Sequence, residues 1–526
     1  MGTPHTVIVG GGLAGMTAAL ALARNGMRVT LIEQQDQLGG KAGARRYQNG
    51  WQDHGYHIFP GWYVNTRRLL AEIGCTELKD LDKFHHLLPT PNDEVKFVTM
   101  YEWGSLKGLW NNLTNGMLPL HETIVSYYFL LDLAAARFSD AFLDKVSANE
   151  FLRSRFYATE SIALLHHQSA LQGSSIPYYE IAATTLQSMV RAWFVTPSPL
   201  VSILTGNLQE KFIDPFEKEL RRRGVEIKLN HEFVGFDSTE PAQGSVIQAA
   251  HVKNGGDDSK KPPPIAADYF LVATPHLEAF KVVCGDAFTD HWQCTVRGGE
   301  KLGLFSLARL RSVPMAALDI HFDRIIPGIP EEHVMLKDSL FGLSFIDITK
   351  HWGFDHTVLS CIASNFESIR EVDADTAARL LVGEIMRYVP ALRNEEIGWQ
   401  AVTLSHLAEP LFLNTVGSWE FRPDSRKGTV IRNLFVAGDY CRSGADLTTM
   451  ESAIWSGLEA ARGILDRAGI SSNVGAEAIP SWPRWRFALY RWAALPIIAP
   501  IGAVLFLRER WRRRRSRVAT PAAHPQ

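Results

Sequence analysis

The stretch TVIVGGGLAGMTAALALARNGMRVTLIE, residues 6–33, constrains the fold more than any other in this chain. An apolar run, a glycine cluster, an alanine-rich run and a second apolar run ending on Glu33 predict a strand, a turn, a helix and a second strand. Gly10, Gly12 and Gly15 stand at the G-x-G-x-x-G spacing. Gly10 permits the tight turn, Gly12 lets the backbone approach a pyrophosphate, and Gly15 lets the helix pack closely on the strand. The helix start also presents unpaired N–H groups to phosphate. Glu33 follows Gly15 by 18 residues, where a carboxylate can accept hydrogen bonds from ribose hydroxyls. The unit predicts a dinucleotide site.

Two further stretches decide which dinucleotide. QLGGKAG follows directly, bringing Gly39, Gly40 and Lys41, and NLFVAGDY stands far away at residues 433–440. An NAD site has no use for a late strand ending in Gly-Asp ahead of a helix. FAD does, because its long ribityl-pyrophosphate can be held by a second helix N-terminus from the far end of the chain. The expected cofactor is FAD.

Composition limits the rest. At 526 residues, 46% of them hydrophobic and 21% charged, the chain can bury the cores of two domains. Its five cysteines form no C-x-x-C pair, which predicts no structural zinc and no metal site. Cys441 is expected to be a free thiol, and the pairs His85-His86 and His166-His167 to be solvated or hydrogen-bonded. The net charge of −2 conceals an asymmetry: residues 484–517 hold ten arginines and one glutamate, leaving −11 on the remainder. The basic run adjoins an apolar one, which points to anionic lipid and not to nucleic acid.

The texture along the chain divides it. Residues 1–90, 201–290 and 406–470 read as a discontinuous FAD-binding domain, and 91–200 with 291–405 as a substrate domain whose first part is helical and aromatic. Ser147 and Glu150 form a capping box there. KNGGDDSKKPPP reads as an exposed loop. A linker spans 471–483, and 484–526 form an apolar and basic tail. The expected fold is α/β, a Rossmann-like unit interleaved with a helix-rich domain of α+β character.

Three longer stretches resemble a known family. LGGKAGARRYQNGWQDHGYHIFPGWYVNTRRLLAEIG, GNLQEKFIDP and FRPDSRKGTVIRNLFVAGDY…TTMESAIWSG are similar to motifs of the flavin amine oxidase superfamily. Within it they resemble the plant and cyanobacterial type of phytoene and ζ-carotene desaturases. The resemblance covers roughly residues 5–466 and leaves out the tail. It implies that Gly10, Gly12, Ala14, Gly15, Glu33 and Gln34 contact the cofactor, with Glu33 on the ribose. It further implies that Gly40 and Lys41 approach the phosphates and that His57, Ile58 and Tyr63 line the flavin. Val234 would touch the adenine, Gly438 and Asp439 would hold the ribityl-pyrophosphate, and Met450 would lie near the isoalloxazine. Two departures stand out. Lys211 replaces an arginine of the family, keeping the charge and losing bidentate geometry, and RSGADL replaces its Lys-Gln-x-Tyr. Lys211 is the candidate for positioning substrate or quinone.

The implied reaction is desaturation of an apolar isoprenoid, with a hydride passing to flavin and a membrane quinone as electron acceptor. No Ser/His/Asp set or paired carboxylate argues for other chemistry, and no general base is evident. A hydroxysqualene dehydroxylase-like enzyme, an amine oxidase and a flavin-binding membrane scaffold without turnover are the alternatives.

The tail sets the expected location. Trp492 to Leu507 are 16 uncharged residues, about 24 Å as a helix and short of the roughly 30 Å hydrocarbon core. Pro496 and Pro500 invite a kink. With no charged segment and apolar run ahead of the first strand, the catalytic part is expected to be cytoplasmic. A single span would then carry the arginine-rich end outward, against the positive-inside rule. A monotopic or re-entrant anchor at the cytoplasmic face is the expectation, with a single-pass span as the alternative.

Overall fold

The computed structural model describes residues 2–47, 50–89, 94–102, 105–137, 140–196, 198–238, 246–254, 263–284, 305–395, 399–403, 411–429 and 431–518. Cys294, most of the KNGGDDSKKPPP loop and the start of the expected 291–405 segment lie outside them.

The first strand, His5–Val9, is buried along its whole length because it sits in the middle of a parallel sheet. The order is Glu226–Lys228, Arg28–Ile32, His5–Val9, Tyr269–Val272 and Leu434–Val436, every pair parallel. Strands buried on both faces need continuous apolar runs, which is what TVIV, YFLV and LFV supply. The helix Leu13–Arg24 covers the sheet beside Met450–Ala468. Their backbones approach closely, since a Cβ at Gly457 would lie 2.4 Å from the Ala14 carbonyl oxygen. HEFVGF does not join this sheet. His231–Ser238, Ile247–Asn254 and Ile265–Ala266 form a separate antiparallel sheet in that order.

A further sheet has seven strands, ordered Trp399–Thr403, Ala316–His321, Val358–Ala363, Leu343–Asp347, His333–Leu336, Lys83–Pro89 and Val95–Tyr101. Lys83–Pro89 precedes the boundary expected at residue 90. It belongs to this sheet because it forms a hairpin with Val95–Tyr101 and pairs in parallel with His333–Leu336. Helices Leu120–Ala134, Glu160–Ser174 and Ala183–Val195 pack beside it, and the Ser147–Glu150 capping box is formed.

The tail is one helix, Arg484–Val518, running through both Pro496 and Pro500. By length and composition it is apolar enough to cross a membrane. It also packs on Leu120–Ala134, burying Phe487, Ile498 and Leu505. Two ion pairs fasten it. Arg491 meets Asp132 at 2.6 Å, and Arg508 meets Glu122. Asp132 also holds Arg155 at 3.0 Å and the Tyr157 hydroxyl at 2.7 Å. The helix continues through both prolines and packs on the domain at Phe487, Ile498 and Leu505. The linker is docked as well, through Asn65 and Arg68 to Glu477.

Candidate functional site

A cavity of about 1150 Å³ runs from the glycine turn to the seven-stranded sheet. At the turn, Gly10 has φ +108° and a Cβ there would stand 2.5 Å from the Ala273 carbonyl oxygen, so only glycine fits. Gly15 does not line the cavity. Its Cβ would lie 2.0 Å from the Gly10 oxygen, and its role is the close helix–strand contact. Gly12 differs from both, because a Cβ there meets nothing within 4 Å and would enter the cavity. Gly12 is also the N-cap of its helix and provides no side-chain cap, leaving N–H groups for an anionic ligand. Glu33 stiffens the turn. One carboxylate oxygen accepts from the Gly11 N–H at 2.7 Å and the other from the Gln35 N–H at 2.9 Å, while the residue lines the cavity with Gln34.

Lys41 and Asp439, 398 residues apart, face each other across this end at 3.2 Å. Ala14, Gly40, His57, Ile58, Tyr63, Gly438 and Met450 line the same cavity, as the resemblance implied. Burial pushes His57 down to about 4, so it is neutral, and its Nδ1 lies 2.9 Å from the Gly55 carbonyl. Tyr63 packs edge-on against Trp62 at 4.7 Å, and burial raises its phenol above the ordinary range. Thr449 caps the helix Met450–Ala468 by accepting from the Ser452 N–H. Glu451 is fully buried and accepts from the backbone and side chains of both Asn65 and Thr66. That carboxylate ties the late helix to the early chain, a role nothing in TTMES announces.

Besides Gly15, two candidates are not brought in. Val234 is 46% exposed and Phe233 lines the cavity instead, because the strand alternates sides and is bulged between Phe233 and Gly235. Lys211 packs over Gly206 and pairs with Glu77 at 2.7 Å on the surface. Cys441 is a buried free thiol pushed up to about 12 by burial.

The far end of the cavity is a sheet face under helices. Met100, Phe84, His86, His333, Met335 and Ile362 line it from below. Ser126, Tyr127, Leu130, His166, Met189 and Phe194 line it from above. His166 Nε2 lies 3.0 Å from Ser126 Oγ. Three of the four paired histidines are hydrogen-bonded as expected, His85, His166 and His167, and His85 and His86 are also buried. His85 bonds Thr99 and Glu332 on the opposite side of its strand, and His86 turns to the cavity.

A glycine turn on a parallel sheet, an uncapped helix start and a second Gly-Asp site at the chain's other end define an FAD-dependent oxidoreductase. The open space at Gly12 and the paired charges of Lys41 and Asp439 fit a diphosphate there. The sequence profile of flavin containing amine oxidoreductases matches residues 13–465, and the chain belongs to that family. It is 23% identical to a probable zeta-carotene desaturase of Synechococcus elongatus, over 89% of this chain and all of that one. It is 24% identical to the 15-cis-phytoene desaturase of the same organism, over 88% and 96%. Among solved structures it resembles cyclohexylamine oxidase from Brevibacterium oxydans, with a TM-score of 0.63 and 14% identity, covering 89% of this chain and 100% of that one.

Proposed function

We propose that the protein desaturates a polyisoprenoid of the carotenoid class. The supporting observation is the continuous cavity, whose cofactor end opens into a long chamber of predominantly apolar side chains between sheet and helices. Full-length similarity to carotene and phytoene desaturases points the same way. When bound, FAD supplies a two-electron acceptor. The chain's own residues do the rest: the turn and Glu33 seat the nucleotide, Lys41 and Asp439 flank the pyrophosphate path, and His57, Ile58, Tyr63 and Met450 border the reacting region. Phe84, Met189, Phe194 and Ile362 hold the isoprenoid in register and exclude water. In this reading the 83–89 strand, paired into the seven-stranded sheet, is counted on the substrate side. A membrane quinone is the proposed final acceptor.

Anionic membrane lipid is the proposed partner of the tail. The charged groups between Leu489 and Arg508 turn inward to Asp132 and Glu122. The outward face shows Leu489, Trp492, Ile497, Val504 and Leu507, each more than half exposed. An apolar outer arc with a basic end suits a helix lying in the interface of the cytoplasmic leaflet. The test of the reaction is full-chain expression in cells that accumulate phytoene or ζ-carotene, followed by lipid extraction. A longer conjugated chromophore is expected, and a flavin-loaded protein that leaves both untouched overturns the reading. Protease protection of an epitope after Arg517 tests the tail, and cleavage from outside the cell overturns the in-plane placement.

A further inference from the structure

We infer that the isoprenoid carries an oxygen function, a hydroxyl in the first instance, which docks on His86 at the sheet end of the cavity. This rests on the isoprenoid reading and narrows its substrate class. The strand pairing sets the geometry. His333 is opposite Phe84 and Met335 is opposite His86, while Phe84 is opposite Met100 and Met335 is opposite Ser344. Alternate residues of a strand share a face, so Met100, Phe84, His86, His333 and Met335 form one continuous floor, and all five line the cavity.

A hydrocarbon accounts for Phe84, Met100 and Met335. It does not account for the histidines. His333 is satisfied by the protein, because its Nε2 lies 2.7 Å from the Tyr56 hydroxyl, which in turn lies 2.5 Å from Ser344 Oγ. His86 is not. It is only 7% exposed and meets Phe84 edge-on at 5.5 Å, and no hydrogen bond joins its ring nitrogens to any described residue. Burial, with His333 and Lys337 close by, pushes it down to about 3, so its imidazole is neutral. A neutral imidazole has one N–H donor and one acceptor nitrogen, and a hydroxyl can pair with either, donating to the bare nitrogen or accepting from the N–H. Buried polar groups left without a partner are costly, and a hydrocarbon would leave His86 in that state.

The test compares binding of geranylgeraniol with that of the matching hydrocarbon lacking its hydroxyl. Both are titrated into the flavin-loaded full chain in detergent and followed by perturbation of the flavin spectrum. The alcohol is expected to bind about tenfold more tightly, the worth of one buried hydrogen bond. His86→Phe is expected to erase the preference while leaving hydrocarbon binding and flavin content intact. His86→Gln, which keeps a donor and an acceptor, is expected to retain part of it and serves alone if His86→Phe does not fold. Equal binding of alcohol and hydrocarbon by the wild type overturns the inference and leaves the desaturase reading standing. An affinity loss in His86→Phe confined to decylubiquinone assigns the oxygen to the electron acceptor and also overturns it. A flavin spectrum that neither isoprenoid perturbs overturns the isoprenoid reading, and this inference with it.

Discussion

The two ends of the cavity are built in different ways. At the turn, the groups that meet the cofactor are mostly backbone, and residues 10–15 and 33–41 are near neighbours in sequence. At the floor, side chains from Lys83–Pro89, Val95–Tyr101 and His333–Leu336 meet only because three strands are in register. The turn fixes what binds through space left empty, and the floor through which side chains are turned inward. The cofactor end thus rests on two short local motifs, while substrate choice can change with one residue on one strand.

The largest expected effect separates two glycines of the turn. Gly15→Val should yield no folded protein, because its Cβ would overlap the Gly10 carbonyl. Gly12→Val should fold, since open space receives the side chain, yet emerge colourless. Circular dichroism and the flavin absorption spectrum distinguish the two, and a yellow Gly12→Val protein would break the assignment of that space to the pyrophosphate.

The seam between the ends should titrate. Asp319 lies beside Asp53, and burial pushes its carboxyl up to about 7. The folded chain holds that proton more tightly than the unfolded one. The resulting stability is fully present below the unfolded pKa near 4 and is lost as pH rises through 7, a change of about 4 kcal/mol. Urea unfolding at about pH 5 and about pH 8 should show this slope in the wild type and a flatter one in Asp319→Asn. Equal slopes would remove Asp319 as the cause.

Glu451 joins the two ends of the chain at the turn side. Glu451→Ala leaves the Asn65 and Thr66 donors without their acceptor and should cost about 3 kcal/mol. Unfolding midpoints measure it, with Glu451→Gln expected to lose less. Lys211 lies at neither end, so Lys211→Met should leave flavin content and turnover unchanged. A fall in turnover with flavin retained would place Lys211 in the reaction after all.

The glycine turn, the late Gly-Asp strand and Met450 were legible because each depends on local chemistry: a positive φ, a close backbone approach, a helix start. The capping box at Ser147 was legible for the same reason. That Phe233 lines the cavity and Val234 is exposed could not be read from HEFVGF, because strand alternation and a bulge decide which side a residue takes. Glu451 was passed over because its partners lie more than 380 residues away.

The sequence by itself determined that this chain builds a dinucleotide site, that the dinucleotide is FAD, and that an apolar helix with a basic end closes the chain. These follow from backbone sterics and from runs of one polarity, which a few neighbouring residues settle between them. The tertiary structure alone decided that Arg491 and Arg508 turn inward to Asp132 and Glu122, leaving an uncharged outer arc. It alone decided that His86 faces the cavity while His85 faces away. Those outcomes depend on strand register and on which helix packs against which, and both are set by contacts between residues far apart in the chain.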